Sequence, residues 1–316
     1  MFACIPVPTP FEVGRVNTYV AGNTVIDPGP DSDQSWEALC DGLAERDLAP
    51  EDIEQVIITH AHLDHFGLAK RLRDHGAEII AHPHTKEIIA DYRARLRREQ
   101  AYFEPLFKRL GVDPMLAETV VTLPDPYLTY GPPVETDRTL SDGDTIEVNG
   151  TQLSVIYTGG HGPGELALAY ETAGDKRAII GDTVLGHITP NPFLIPPPTE
   201  GGDRPKQLVR LEQSLDTLDN DNFERFLPGH GEPITDTTDR INEMRNAHAH
   251  RTADVRSLVD GPTQPVEVMD GLFGDMPATE TFACMSEALG HLDLLEHRGE
   301  VIQEERDGDI YYRSAE

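Results

Sequence analysis

Apolar and polar positions alternate in two short bursts near the start of the chain, residues 16–20 and 24–26, separated by Ala21-Gly22-Asn23. This spacing predicts two strands around a turn, and Asp27-Pro28-Gly29-Pro30 ends the second. Trp36, Leu39, Cys40 and Leu43 then recur at intervals of one to four, on one side of a helix expected over residues 35–46. Val56-Ile57-Ile58-Thr59 reads as a buried strand, followed by a His-rich turn, a helix over about residues 67–75 and a short strand at 79–81. Strands alternating with helices predict a layered α/β domain.

A long helical stretch is expected from residue 86 to about 110, then a Pro-rich connection from 111 to 137. Strand patterns return at residues 145–148, 153–157, 166–170 and 178–180. The run from Pro190 through Pro198 reads as a loop, before a helix over 206–218 and a short strand at Phe226-Leu227. From about Asp236 the texture changes to helices, one over 240–259 and shorter ones after Gly261-Pro262. Leu289, Leu292 and Leu295 keep helical spacing up to Gly299, and two strand-like runs then flank Asp307-Gly308, a hairpin turn signal. The pattern predicts a large domain over 1–236, with a helical, Pro-rich insertion at about 86–137, and a small domain over 237–316 that ends in a helix and a two-stranded wing.

Charge changes this picture more than composition does. Asp and Glu number 56 against 26 Lys and Arg, a net charge of −30, and lysine occurs only at positions 70, 86, 108, 176 and 206. Such a surface repels itself in dilute buffer and is screened by abundant salt, which predicts adaptation to a high-salt, halophilic cytoplasm. Binding nucleic acid through phosphate neutralisation is disfavoured. No run approaches the roughly eighteen apolar residues of a membrane span, and the first residues lack the pattern of a signal peptide, so a cytoplasmic protein without membrane contact is expected. Against the acidic background, Arg93, Arg95, Arg97, Arg98, Lys108 and Arg109 form a basic island. Cys4, Cys40 and Cys284 are widely spaced and odd in number, so metal chemistry must rest on His and Asp.

The strongest chemical signal is Thr59-His60-Ala61-His62-Leu63-Asp64-His65, four donor side chains in six residues directly after an apolar strand. His60 and His62 can face one cation and Asp64 and His65 another, and imidazole with carboxylate suits zinc or another borderline divalent ion. Later donors share one context: His161 follows a strand through Gly159-Gly160, Asp182 through Gly181, and His230 through Pro228-Gly229. In α/β sheets, functional groups collect beyond the carboxyl ends of strands. His82, His84 and His187 are candidates for the rim of such a site, whereas His75, His291 and His297 have no chemical context.

These motifs resemble the metallo-β-lactamase superfamily. Its His-x-His-x-Asp-His block is similar to His60–His65, its Gly-His, Gly-Asp and Pro-Gly-His-Gly blocks to the runs at His161, Asp182 and His230, and its early Asp to Asp27. The resemblance spans about residues 14 to 235 and departs from the pattern at Thr158-Gly159-Gly160-His161-Gly162, where the family has Pro before Gly-His and Ser or Thr after it. It implies a four-layer αββα sandwich holding two divalent ions, with zinc expected and iron or manganese compatible. His60, His62 and His161 then bind the first ion, Asp64, His65 and His230 the second, and Asp182 bridges. Asp64 would also orient the nucleophilic hydroxide and receive its proton, and Asp27 would hold a ligand from behind.

The C-terminal segment, with His248-Ala249-His250-Arg251 and Ala288-Leu289-Gly290-His291-Leu292, resembles the winged-helix-like domain of the β-lactamase-like protein 2 group, itself similar to glyoxalase II. Acidic residues crowd the wing, so packing or a homodimer is expected of this domain rather than nucleic-acid binding. Two functions follow as expectations. The first is hydrolysis of a small acyl substrate, a thioester before other esters, with His187, Arg95 and Arg98 as substrate contacts. The second is endoribonuclease action on RNA phosphodiesters with the same ions.

Overall fold

The computed structural model describes residues 2–199 and 201–315. The chain forms two compact units, and neither is a continuous stretch. The first comprises the chain up to Arg93, Tyr127–Pro190 and Ser214–Ile241; the second comprises Ala94–Pro126, Asn191–Gln213 and the chain from Asn242 onward.

The first unit holds two sheets. One has six strands in chain order, β1 (Ala3–Val7), β2 (Val16–Ala21), β3 (Thr24–Ile26), β4 (Gln55–Ile58), β5 (Glu78–Ala81) and β6 (Arg138–Thr139). It is antiparallel from β1 to β3 and parallel from β3 to β6. The other contains β7 (Thr145–Val148), β8 (Thr151–Tyr157), β9 (Leu166–Thr172), β10 (Asp175–Ile179) and β11 (Arg225–Leu227), in the order β11-β10-β9-β8-β7. Helices α1 (Asp33–Ala44), α2 (Leu63–Phe66), α3 (Ala69–Asp74) and α4 (Pro83–Ala90) connect or follow the strands of the first sheet.

Successive side chains of a strand point to opposite faces, and β4 shows what this does. Ile57 packs with Tyr19, Ile26 and Ile80 of its own sheet against Leu153, Leu166 and Leu168 of the other. Val56 and Ile58 face the opposite way, into a cluster with Leu39 and Leu43 of α1 and Leu72 of α3. The run Val56-Ile57-Ile58 is thus apolar throughout because both faces of the strand are covered. Leu39 and Leu43 are fully buried, and each contributes about 1.5–3 kcal/mol by leaving water. The two sheets pack face to face and helices flank them, the layered α/β arrangement expected from the alternation of strands and helices.

Strand β1 escapes the sequence pattern because Pro6 interrupts it. The strand lies at the sheet edge, Pro6 opposite Asn17, where a missing N–H is tolerated.

The second unit takes in α5 (Tyr92–Arg109) from Ala94 on, α6 (Pro114–Thr122), the start of α7 (Gln207–Asn220), most of α8 (Thr237–Leu258), α9 (Pro265–Phe273), α10 (Ala278–His297) and the hairpin β12 (Val301–Arg306)–β13 (Asp309–Ser314). Its core joins Phe103 and Phe107 of α5 and Val120 of α6 to Val255, Met285, Leu289, Leu292 and Tyr312. The expected single helix from 86 to 110 breaks at Asp91 (φ −154°, ψ 76°) into α4 and α5. The expected connection over 111–137 contains α6, started by Pro114 at its first position with Asp113 Oδ1 accepting from the N–H groups of Met115 and Leu116. The compact unit that holds α10 also takes in α5 and α6, which share its core. No helix of the described residues is long and apolar enough to cross a membrane.

Within the second unit Arg204 forms a paired contact with Asp293, 2.7 Å for each nitrogen–oxygen pair. The Asp293 side chain is 2% exposed and that of Arg204 13%. Burial pushes the Asp293 carboxyl up, and Arg204 opposes it. Removing one member of a buried pair strands the other charge and costs about 3–5 kcal/mol. Arg204→Met should therefore lower unfolding free energy by about that amount in urea titrations, while Arg204→Met/Asp293→Leu recovers most of the loss. A single variant within about 1 kcal/mol of the parent would show that the pair does not stabilise this unit.

Candidate metal centre

Each donor leaves a strand end of the first unit. After β4 the chain passes Thr59, His60 and His62, then enters α2, one turn of helix that carries Asp64 and His65. His161 follows β8, Asp182 follows β10 and His230 follows β11. Parallel pairing of β10 with β11 brings the last two loops together, with Gly229 N–H donating to Gly181 O at 2.7 Å. Position 229 has no room for a side chain: a Cβ there would collide with Asp182 Oδ1 and come within 2.7 Å of His65 Cε1.

The structure brings all seven expected donors together. His62 Nδ1 lies 3.0 Å from His60 Nε2 and 3.2 Å from His161 Nε2, one group of three nitrogens. Asp64, His65 and His230 form a second group, with His230 Nε2 3.3 Å from Asp64 Oδ2. Asp182 Oδ2 sits between them, 3.7 Å from His161 Nε2, 3.5 Å from His65 Nε2 and 3.4 Å from His230 Nε2.

Hydrogen bonds behind the donors orient their rings. Asp27 Oδ1 accepts from Thr59 N–H at 2.8 Å, and Asp27 Oδ2 accepts from the Thr59 hydroxyl at 2.6 Å and lies 2.8 Å from His65 Nδ1. Since the Thr59 proton is committed to Asp27, its oxygen is free to accept from His60 Nδ1, 3.0 Å away. His230 Nδ1 faces the Arg15 carbonyl at 2.9 Å, which can only accept. Nδ1 therefore carries the proton in His60, His65 and His230, and Nε2 points into the centre.

Electrostatics inside the centre favour cations. Burial, then the neighbouring His65 and His62, holds the His60 imidazole well below its ordinary range, and burial with His161 lowers His62 to about 3. Burial opposes charge on Asp182, but His65 and His230 outweigh it and keep the carboxyl well below its usual range. Burial likewise opposes charge on His230, yet Asp182 and Asp64 raise it to about 9. The same carboxylate field that favours a proton favours a metal ion. His65 Nε2, His230 Nε2 and Asp182 Oδ1 are buried without a hydrogen-bond partner, an arrangement costing about 1–3 kcal/mol per group unless something coordinates them. The donor set thus fits divalent ions.

Two further residues escape sequence reading. Glu165 is fully buried, accepts from Asp182 N–H at 2.9 Å, and is pushed up to about 8 by burial and by Asp182. Asn17 donates through Nδ2 to the carbonyls of Pro228 (3.0 Å) and Gly231 (2.7 Å), gripping the His230 loop. The available signal was a polar residue within an apolar strand pattern, Asn17 in β2 and Glu165 just before β9.

The remaining candidates lie outside the donor cluster. His187 is exposed beside Gly231. His82 caps α4, its Nδ1 accepting from His84 N–H, and its ring packs on Tyr157. Arg95 and Arg98 belong to the second unit, where Arg95 is 2.7 Å from Glu99. Lys108 pairs with Glu104 and Arg109 with Glu305, so much of the basic island is neutralised locally. All three cysteines are free.

Comparison with known proteins agrees with this geometry. The family described as the metallo-beta-lactamase superfamily matches residues 12–249. The chain is 33% identical to the probable metallo-hydrolase YqjP of Bacillus subtilis (strain 168), over 98% of this chain and 97% of that one. At greater distance it is 23% identical to the atrochrysone carboxyl ACP thioesterase of Aspergillus fumigatus, over 86% of this chain and 72% of that one. The crystal structure of a metallo-beta-lactamase family protein from Thermus thermophilus superposes with a TM-score of 0.80 at 26% identity, covering 99% of this chain and 98% of the other. Seven convergent donors at the strand ends of a two-sheet sandwich, together with a sequence match over most of the chain, make this protein a member of the metallo-beta-lactamase superfamily of metallo-hydrolases.

Proposed function

We propose that the chain hydrolyses thioesters or other small acyl esters with two divalent ions, zinc before iron or manganese. The position of Asp182 carries this reading, since its Oδ2 lies within 3.7 Å of nitrogens from both donor groups. His60, His62 and His161 would hold one ion and Asp64, His65 and His230 the other, with Asp182 shared. Such a pair would supply Lewis-acid activation of a water and of the acyl oxygen. Asp64, buried beside His230, would orient that water and take up its proton. Burial opposes charge on Asp64, but His65 and His230 lower its pKa, so it stands ready as a base in its ionised form.

The substrate class rests on charge and on kinship. The fungal relative is named a thioesterase, and a net charge of −30 disfavours long polyanions. We read α10 with β12 and β13 as the winged-helix-like segment expected from sequence. Glu300, Glu304, Glu305, Asp307 and Asp309 crowd its hairpin, and Glu304 contacts both Arg306 and Arg313. That surface suits packing better than RNA. The alternative, an endoribonuclease, keeps the same donors.

Elemental analysis of protein prepared with zinc should approach two ions per chain, and one ion in excess metal would end the dinuclear reading. Asp182→Ala should lose both ions, His230→Ala mainly one. Asp64→Asn should lower turnover about a hundredfold or more with the fold intact; near-normal turnover with both ions bound would remove Asp64 from its role. Parallel assays of acyl thioesters, p-nitrophenyl esters and short RNA, at low and molar salt, decide the class. Thioester or ester turnover should exceed RNA cleavage, and RNA cleavage that dominates, depends on metal and vanishes in His62→Ala would establish the alternative.

A further inference from the structure

Three residues after Asp182 the chain reaches Leu185, still buried, and then turns outward through residues 186–188, all exposed. Arg240, in the first turn of α8, holds this loop by its backbone on both sides of His187. Its Nε donates to Leu185 O at 2.6 Å and its Nη2 to Ile188 O at 2.7 Å. An exposed loop gripped at two carbonyls by one planar side chain presents its tip in a fixed place.

That place adjoins the metal centre. Gly231 directly follows the donor His230 and has φ +80°, and a Cβ built on it would lie 3.0 Å from His187 Nδ1 and 3.3 Å from His187 Cε1. Glycine at 231 therefore meets two demands, the left-handed backbone and the ring of His187 lying against it. Asn17 fixes Gly231 from the other direction through its carbonyl, 2.7 Å from Asn17 Nδ2. Among the described residues no hydrogen bond engages the His187 ring. An imidazole held beside a donor loop by a dedicated arginine, yet with its own nitrogens uncommitted, has its hydrogen-bonding capacity available to a substrate.

We infer that His187 contacts the substrate at the edge of the metal centre, donating a hydrogen bond to one of its acceptor oxygens, and that Arg240 is the positioning residue that presents it. The inference rests on the metal-hydrolase reading but not on the choice between acyl ester and RNA, since both offer acceptor oxygens. It is tested in metal-replete full-length protein, on whichever of thioester, p-nitrophenyl ester or short RNA the parent turns over fastest. His187→Ala should lower kcat/KM about tenfold or more, with two ions per chain and the Tm of the parent. His187→Asn keeps a donor and should retain a larger share of the rate. Arg240→Met should reproduce the loss and add little to it in the double variant, because both remove the same contact. Should Arg240→Met fail to fold, the two His187 variants decide alone. His187→Ala turnover within twofold of the parent, or loss of an ion from that variant, overturns the inference. A parent that prefers RNA overturns the acyl-hydrolase reading while leaving this test in force.

Discussion

Asp27 leaves β3 with a left-handed backbone, φ 52°, and its carboxylate is 2% exposed. A buried carboxylate persists only if hydrogen bonds replace its lost water. Three do so here: the Thr59 amide, the Thr59 hydroxyl and the His65 ring. Through Thr59 the same carboxylate reaches His60. One side chain at the end of one strand thus fixes the ring orientation of a donor in each group, and the loop after β4 depends on it for its shape. Replacing Asp27 by an apolar residue would leave Thr59 and His65 with unanswered donors in the interior, as well as freeing the rings of His60 and His65 to rotate.

The sandwich supplies what the loop alone cannot. Short donors reach a shared centre only if their backbones approach closely, and three devices bring this about. The parallel pairing of β10 with β11 sets Asp182 beside His230. Glycine at 229 removes the atom that would hold them apart. Hydrogen bonds from Asn17 and Tyr19 to the Pro228 carbonyl tie the last loop of the second sheet to β2 of the first. The centre is therefore a property of two sheets facing each other, not of any one motif.

Much of this was legible in the residues. The seven donors, the strands before them and the glycines beside them carry local signals, because a strand end followed by glycine and a ligand is contained within a few positions. The resemblance to a known family supplied the pairing of distant donors, which spacing alone does not specify. Features set by distant partners were not legible. Asn17 reads as an ordinary polar residue in a strand until its contacts more than 200 positions away are seen. Pro6 disguised an edge strand, and the prolines of 111–137 suggested a connection where Pro114 in fact begins a helix. Within the basic island Arg95 and Lys108 pair with Glu99 and Glu104 four positions away, whereas Glu305, the partner of Arg109, lies far along the chain.

The interleaving of the two units bears on how the chain reaches this state during synthesis. Residues 94–126 emerge early, but Leu289 and Leu292, which share their core, follow more than 150 positions later. Until then Phe103, Phe107 and Val120 lack their final neighbours, and closing so long a loop precedes any gain from packing. The first unit likewise waits for β11 and the His230 loop before its second sheet is complete. A polypeptide interrupted between these points would expose apolar helix faces without their partners, and in such a chain exposed apolar surface favours aggregation over catalysis.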